Sequence, residues 1–235
     1  MKTLGIIGGI GPESTIDYYR SIIAQYKQRV HTEHQPHILI QSIDLKRMQN
    51  WLAENNLAAI TDYLVENLWH VSAGGADFAV LAANTAHIVF DEVSKQSPLP
   101  LISVVEVACQ KACELKLRKL GLFGTKYTMT APFYPQACQR YGLQLVIPHA
   151  DEIADIHHIY FQQLLLNQFK DESRQTMVQI IERMHQEEQI EGLILGGTEL
   201  PLLLRDTVVP GVVFLDTTLI HVERIVDGIL SSTSA

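Results

Sequence analysis

Cysteine is scarce in this sequence, with three Cys among 235 residues. An odd, sparse set of thiols implies no disulfide framework and fits a reducing compartment. Cys109 and Cys113 lie one helical turn apart, but no His or Cys pair nearby completes a set of metal ligands. Core packing is therefore the preferred interpretation, and no metal site is predicted.

Clusters of positive charge and long apolar runs are also missing. The formal net charge is -8, and the densest basic stretch, residues 116–119, is interrupted by Leu117. A nucleic-acid partner is not expected, because counterion-release binding requires clustered Lys and Arg. The apolar run at residues 4–7 is shorter than a signal-peptide core, and no later run approaches a membrane span. These absences predict a cytoplasmic protein that has no membrane partner.

The chain does contain a regular alternation of short apolar runs and amphipathic stretches. This alternation is typical of an α/β protein with a mostly parallel sheet, and runs this apolar indicate a sheet that helices cover on both faces. The predicted strands are residues 4–7, 38–42, 78–81, 101–103, 120–123, 144–147, 192–195 and 213–215. The predicted helices are residues 13–27, 56–73, 104–116, 154–167, 173–186 and 217–230.

The sequence also contains an internal repeat. Residues 2–8 are similar to residues 118–124, and residues 76–84 are similar to residues 190–198, with nearly the same offset in both pairs. Two similar halves explain this pattern, although any α/β chain repeats strand–glycine–helix units and coincidence is the alternative.

A tandem of similar halves predicts two doubly wound parallel sheets related by a pseudo-two-fold axis. The first half is expected to comprise residues 1–100 and 210–235, and the second half residues 101–209. A ligand cleft is expected between the halves, because open α/β sheets bind ligands at the carboxyl ends of their strands.

The loop at residues 8–15 follows the first strand and opens a helix. It lacks the spacing of a dinucleotide fingerprint or a Walker loop, so nucleotide binding is not expected. Backbone amides at such a helix start suit a carboxylate, and Ile10 lies where the loop would meet a ligand. A tight strand-to-helix turn explains the glycines equally well.

Polar residues follow the strand that ends near residue 81. Asn84 and Thr85 offer short donors and acceptors to the carboxylate or amine of an amino acid, or else they cap the following helix. His87 lies one turn after Ala83, where it is either a base or a partly buried, hydrogen-bonded side chain.

The corresponding loops of the second half carry threonines and one acidic residue. Thr125 and Thr128 follow the strand that ends at residue 123, and Thr198 and Glu199 follow the strand that ends at residue 195. Glu199 is the carboxylate best placed to enter a cleft, or it stabilises a helix N-terminus there.

Together these segments resemble the aspartate/glutamate racemase family over essentially the whole chain. Residues 8–15 are similar to the glycine loop of the family, and residues 84–87 to the end of its Cys-Asn-Thr-(Ala/Pro)-His motif. Residues 124–129 are similar to its threonine loop, and residues 196–200 to its Gly-Cys-Thr-Glu motif. Residues 216–221 are similar to its C-terminal segment.

The resemblance implies a racemase that inverts the α-carbon of an amino acid without pyridoxal phosphate or another cofactor. Members of the family use one cysteine to remove the α-proton and a second to return a proton from the opposite face. This sequence has Ala83 and Gly197 at those two catalytic positions. Since neither side chain can exchange a proton, the two-thiol mechanism is disabled in this chain.

Three hypotheses remain open from the sequence. The chain is a racemase in which His87, Glu199 or a bound water replaces the thiols. Alternatively, it is a non-racemising relative that binds or otherwise transforms a small amino acid or carboxylate. In the third hypothesis, the residues at positions 83 and 197 were engineered to trap a substrate.

The remaining predictions concern the substrate and the assembly. Arg47 is a candidate for binding an acidic side chain, with a surface arginine as the alternative. His157 and His158 belong to a segment that lines the cleft in related proteins, although surface exposure is the default for both. The family often forms homodimers, which the residues themselves neither support nor exclude.

Overall fold

The computed structural model describes residues 1–31, 33–204 and 206–231, arranged in two compact units. Unit 1 comprises Met1–Val104 together with the chain from His221 onward, and unit 2 comprises Val105–Ile220. The strands are β1 (Leu4–Gly8), β2 (Ile38–Ser42), β3 (Phe78–Leu81), β4 (Leu101–Ile102), β5 (Lys119–Gly124), β6 (Gln144–Val146), β7 (Gly192–Gly196) and β8 (Val213–Asp216). The α-helices are α1 (Pro12–Val30), α2 (Leu45–Ala53), α3 (Leu57–Ala73), α4 (Phe90–Gln96), α5 (Val104–Glu114), α6 (Lys126–Thr130), α7 (Phe133–Arg140), α8 (Ala150–Gln162), α9 (Asp171–Glu188), α10 (Leu200–Leu203) and α11 (Thr217–Leu230), and short 3-10 helices cover Thr85–Val89 and Leu164–Leu166.

The central strands β1 and β3 of the unit 1 sheet are buried on both faces, as their continuously apolar residues predict. All its strands are parallel, in the order β2-β1-β3-β4. Leu4 and Ile6 of β1 pack on one face with Tyr18 of α1 and with residues of α11. Ile7, one position further along, packs on the other face with Leu64 of α3. Successive strand residues point to opposite faces, so helices are needed on both sides of this sheet.

Unit 2 repeats the strand order and register of unit 1. Its parallel strands follow the order β6-β5-β7-β8. Gly5 pairs with Ala79 between β1 and β3, and Gly121 pairs with Leu193 between β5 and β7. These are the positions that the sequence repeat makes equivalent. The prediction of an α/β fold with two similar halves is therefore confirmed.

The borders of the two units differ from the expected ones at two places. Residues 101–104 belong to unit 1, because β4 pairs with β3. Residues 210–220 belong to unit 2, because β8 pairs with β7. Backbone pairing with a distant strand decides the sheet to which an edge strand belongs. The residues of the edge strand do not specify that pairing.

None of the helices in the described part of the chain combines the length and the apolar composition that a membrane crossing requires.

Candidate active site

The glycine loop of unit 1, residues 8–15, is hydrogen-bonded to the segment that directly follows β3. Gly9 and Gly11 have φ angles of 82° and 96°, in the left-handed region that favours glycine. The amide of Gly9 donates to Thr15 Oγ1 at 2.8 Å, and the buried Ser14 hydroxyl donates to the carbonyl of Ala82 at 2.9 Å. The loop therefore forms a tight strand-to-helix turn. The turn places the start of α1 beside the carboxyl end of β3.

Ile10 is half-buried and packs against the core on the α3 side of the sheet. This position lies in the loop that follows β1, at the edge of the sheet where β3 also ends. A role for Ile10 in contacting a ligand stays a prediction.

Ala83 and two polar residues form the segment that follows the end of β3. Ala83 is partly exposed, Asn84 is buried and Thr85 is half-buried. Asn84 precedes the 3-10 helix Thr85–Val89, but its side chain does not cap that helix. The capping alternative for Asn84 is therefore wrong, and ligand binding by Asn84 and Thr85 stays a prediction.

His87 is buried, with 2% of its surface exposed. Its Nδ1 lies 3.0 Å from the carbonyl oxygen of Ala83, and its ring stacks on Phe90 with 4.7 Å between ring centroids. A carbonyl oxygen only accepts, so Nδ1 carries a proton in this hydrogen bond. The structure therefore shows a buried, hydrogen-bonded histidine, and a role as base stays a prediction.

A second buried histidine of unit 1 is held in its neutral form. The Tyr18 hydroxyl lies 2.8 Å from His221 Nδ1, and His221 Nε2 lies 3.0 Å from the carbonyl oxygen of Ile102. Burial, with a smaller contribution from His87, lowers the pKa of His221 from 6.5 to about 3, against an opposing effect of the Ile102 carbonyl. His221 consequently donates to Ile102 through Nε2 and accepts from Tyr18 through Nδ1.

Acid should destabilise the protein through His221. Below pH 6.5 the unfolded chain binds a proton at this residue, whereas the folded chain stays neutral down to about pH 3. The free energy of unfolding should therefore fall by about 1.4 kcal/mol per pH unit in this window, and this loss is absent above it. Urea unfolding at a series of pH values measures the slope. His221→Gln should flatten it, whereas His158→Gln, at an exposed position, should not; an unchanged slope in His221→Gln would contradict the assignment.

In unit 2 the threonine loop, residues 124–129, follows the end of β5. Thr125 Oγ1 caps α6 by accepting from the amide of Thr128 at 3.2 Å, and the two hydroxyl oxygens lie 3.1 Å apart. A Cβ at Gly124 would lie 2.8 Å from the Thr128 methyl group, so the threonine occupies the space that the glycine leaves. Gly124 also pairs with Gly196, which places the loops after β5 and β7 side by side.

The two neighbouring histidines of α8 have different environments. The amide of Lys126 donates to His157 Nδ1 at 3.1 Å, which ties α8 to the start of α6. Burial, and then the charges of Lys126 and His158, lower the pKa of the half-buried His157. His158 is exposed, as expected by default.

The space beside Gly197 is filled by a side chain from α8. A Cβ at Gly197 would lie 2.5 Å from both the hydroxyl oxygen and Cε2 of Tyr160. The Tyr160 hydroxyl donates to Glu199 Oε2, which also accepts from Thr198 Oγ1 at 2.9 Å. Tyr160 and Glu199 are 6% and 4% exposed. A hydroxyl–carboxylate pair thus lies beside the carboxyl end of β7. Glu199 is the N-cap residue of α10 and makes no side-chain capping hydrogen bond; its stabilisation of the helix N-terminus stays a prediction.

Tyr160 remains a neutral phenol in this environment. Burial is the largest cause that raises its pKa well above 10, and the charge of Glu199 adds to it. The Glu199 carboxyl group accepts hydrogen bonds from two hydroxyl groups, so a continuous hydrogen-bonded path joins Tyr160 to Glu199. Chemically, the cluster formed by Tyr160, Thr198 and Glu199 can hold and exchange a proton.

Arg47 is exposed near the start of α2, the helix that follows β2. Its guanidinium carbon lies 5.0 Å from the ring centroid of Trp51 and 4.6 Å from that of Tyr63. Stacking of this kind restrains an arginine while leaving its N–H groups directed outward. Within the described residues the guanidinium has no carboxylate partner. Arg47 is thus a surface arginine whose position is restrained by two aromatic rings, and its role in binding a substrate stays a prediction.

The three thiols lie on α5 and α7. Cys109 on α5 and Cys138 on α7 are buried with their sulfur atoms 3.8 Å apart, and Cys113 is exposed. Across the described ranges, His, Cys, Asp and Glu side chains do not gather in groups of three that could hold a metal ion.

Tyr160 is the site residue that sequence reasoning missed. It lies within a predicted amphipathic helix, where an aromatic residue at helical spacing indicates core packing. Glycine at position 197, in place of the cysteine of the related motif, was the one available signal, because it leaves room for a side chain from elsewhere.

The chain is similar to amino-acid racemases along most of its length. A family model described as Asp/Glu/hydantoin racemase matches residues 7–225. The crystal structure of an aspartate racemase homologue from Pyrococcus horikoshii is 33% identical, with a TM-score of 0.86, and the match covers 98% of this chain and 100% of that one. A candidate Asp/Glu racemase from Yersinia pestis is 28% identical, with a TM-score of 0.89 and the same coverage.

Among curated proteins, the chain is 22% identical to the broad-specificity amino-acid racemase RacX of Bacillus subtilis over 147 residues, which are 61% of this chain and 63% of RacX. The chain spans less than two thirds of the length of the curated relatives that it matches.

Proposed function

This chain belongs to the Asp/Glu/hydantoin racemase family, and from that premise we propose that it is an amino-acid racemase-like isomerase of the aspartate/glutamate type. It acts at the α-carbon without pyridoxal phosphate and without the pair of thiols. The relatives reported above are named as racemases or as their homologues, so the enzyme class follows the family. The substrate and the mechanism of this chain are our proposal.

One observation carries this proposal: the buried Glu199 carboxyl group accepts a hydrogen bond from Tyr160, whose hydroxyl lies beside Gly197. Gly197 has no side chain, but Glu199 follows two residues later and is hydrogen-bonded to two hydroxyl groups. General acid–base catalysis contributes about 10²–10⁴-fold, so a chain that lost its thiols without a substitute would lose most of its activity. Glu199 in unit 2 and His87 in unit 1 are the proposed substitutes.

The polar residues at the strand ends are proposed to bind the amino acid. Arg47 suits the side-chain carboxylate of aspartate or glutamate, because its stacked guanidinium presents a planar set of donors. Hydroxyl and amide groups suit the α-carboxylate and the ammonium group. The proposed binding residues of both units are Ile10, Arg47, Asn84, Thr85, Thr125, Thr128 and Thr198.

Proton exchange at the α-carbon in D₂O tests the proposal. Both enantiomers of aspartate, glutamate and several neutral amino acids are incubated with the protein, and loss of the α-proton signal is followed by NMR. We expect exchange that persists after alkylation of the exposed Cys113 with iodoacetamide. If no amino acid of either hand exchanges, the proposal fails.

A non-racemising relative is the second candidate. It is favoured by the Tyr160 ring, which fills the space beside Gly197 where a family member would carry a reactive group. Such a protein binds or otherwise transforms a small amino acid or carboxylate. A thermal shift with an amino acid or dicarboxylate, in the absence of α-proton exchange, would support this candidate over the first.

A further inference from the structure

We propose that the hydroxyl group of Tyr160 is the proton-transferring group of unit 2, standing where the thiol of a cysteine at position 197 would lie. This inference rests on the proposed α-carbon chemistry, and it names the atom that performs the chemistry in this unit.

The first argument is the location of the hydroxyl group. A cysteine sulfur lies one bond beyond Cβ, and the Tyr160 oxygen is 2.5 Å from the place that a Cβ at Gly197 would take. The φ angle of Gly197 is not in the positive range, so the backbone there does not itself require glycine. The glycine is explained by the tyrosine, whose hydroxyl enters the volume of the missing side chain.

The second argument is the partner of the hydroxyl group. The Tyr160 hydroxyl donates to Glu199 Oε2, and Thr198 Oγ1 donates to the same oxygen at 2.9 Å. Both residues of the pair are almost fully buried, and a buried charge is tolerated when hydrogen bonds satisfy it. Glu199 is therefore set to receive the phenolic proton, and Thr198 acts as a positioning residue for Glu199.

The third argument is that α8 is held in place. His157, three residues before Tyr160, accepts a hydrogen bond from the amide of Lys126 at 3.1 Å. This bond joins α8 to the helix that begins after β5, where Thr125 and Thr128 lie. Because the hydroxyl group is positioned by a helix and not by a mobile loop, its location is well defined.

The proposed step conserves protons and electrons with groups that the substrate and this chain supply. When the Cα–H bond of the substrate breaks, its electron pair stays on Cα and the proton moves to the Tyr160 oxygen. The phenolic proton moves at the same time to Glu199 Oε2. The reverse movement returns a proton to Cα, and it returns a deuteron once the pair has exchanged with D₂O. The step involves no change in oxidation state.

Tyr160→Phe is the decisive variant, because it keeps the ring that fills the space beside Gly197 and removes only the oxygen. We expect the rate of α-proton exchange to fall by about 100-fold or more, with the loss in kcat and with KM within about threefold of the wild-type value. Glu199→Gln keeps a hydrogen-bond acceptor but cannot take up the proton, so it should show the same loss of kcat.

Tyr134→Phe is the matched control, since Tyr134 is equally buried in unit 2 but lies on α7. It should exchange at the wild-type rate, although its melting temperature should fall. A purely structural role for Tyr160 would likewise lower the melting temperature and leave kcat unchanged.

Exchange by Tyr160→Phe at close to the wild-type rate would overturn the assignment of the proton to Tyr160 and leave the proposed function standing. Absence of exchange in the wild-type protein would instead refute the proposed function and this inference with it. If Tyr160→Phe does not fold, 3-fluorotyrosine at position 160 keeps the shape of the side chain and makes the phenol more acidic; an unchanged exchange rate would then overturn the assignment to Tyr160.

Discussion

Gly197→Cys should destabilise the protein by about 1–3 kcal/mol and should not create a reactive thiol site, despite restoring the cysteine of the related motif. The new Cβ would lie 2.5 Å from two atoms of the Tyr160 ring system, so the tyrosine would have to move. Forcing extra atoms into a packed interior costs about 1–3 kcal/mol, and the displaced tyrosine would also give up its hydrogen bond to Glu199.

Urea unfolding of a small set of variants measures this effect. Gly197→Ala introduces the same Cβ without sulfur and should cost nearly as much, which shows that space and not thiol chemistry is responsible. Combining Gly197→Cys with Tyr160→Leu should cost less than the sum of the two single changes, because the smaller side chain makes room. Strict additivity, or a Gly197→Cys variant as stable as the wild type, would be incompatible with a tyrosine that fills this position.

The same result predicts the outcome of placing cysteines at both position 83 and position 197. Cysteines placed at both 83 and 197 would meet an occupied site in unit 2, so the two-thiol mechanism requires a change at Tyr160 as well. We therefore expect the residue at position 197 and the Tyr160 side chain to depend on each other.

Gly9→Ala should unfold or severely destabilise the protein, with a loss of about 3 kcal/mol or more. Gly9 has a φ of 82°, which costs an L-residue about 1–2 kcal/mol. A Cβ there would also collide with the carbonyl oxygen of Ile43 and lie 2.6 Å from its amide nitrogen. Both are backbone atoms, and the Ile43 amide donates to the carbonyl of Gly8 at 2.9 Å. Relief of the collision would therefore separate the glycine loop from the segment after β2.

Gly75→Ala separates the two causes. Gly75 has a comparable φ of 95°, but a Cβ there would have no heavy atom within 4 Å. Its loss should be limited to the backbone cost of about 1–2 kcal/mol. The difference between the midpoints of the two urea unfolding curves measures the collision. Equal losses in Gly9→Ala and Gly75→Ala would mean that the contact with Ile43 does not constrain the loop.

The apolar runs predicted the central strands well, because burial on both faces leaves a strong local pattern. The runs at residues 78–81 and 192–195 correspond to β3 and to most of β7. Short helices such as α6 and α10 were missed, since four or five residues are too few to show a helical period. The sequence repeat anticipated the shared register of the two sheets, since equivalent strands carry equivalent residues.

The sequence by itself determined the two-part α/β architecture, the loops at the strand ends, and the absence of thiols at positions 83 and 197. Each of these follows from residues that are neighbours in the chain or from a comparison of its two halves. Only the tertiary structure decided which edge strand belongs to which unit and which side chain fills the space beside Gly197. The physical reason is the same in both cases: backbone pairing of β8 with β7 and the contact of Tyr160 with Gly197 join residues that are far apart in the chain, and their own types do not encode those partners.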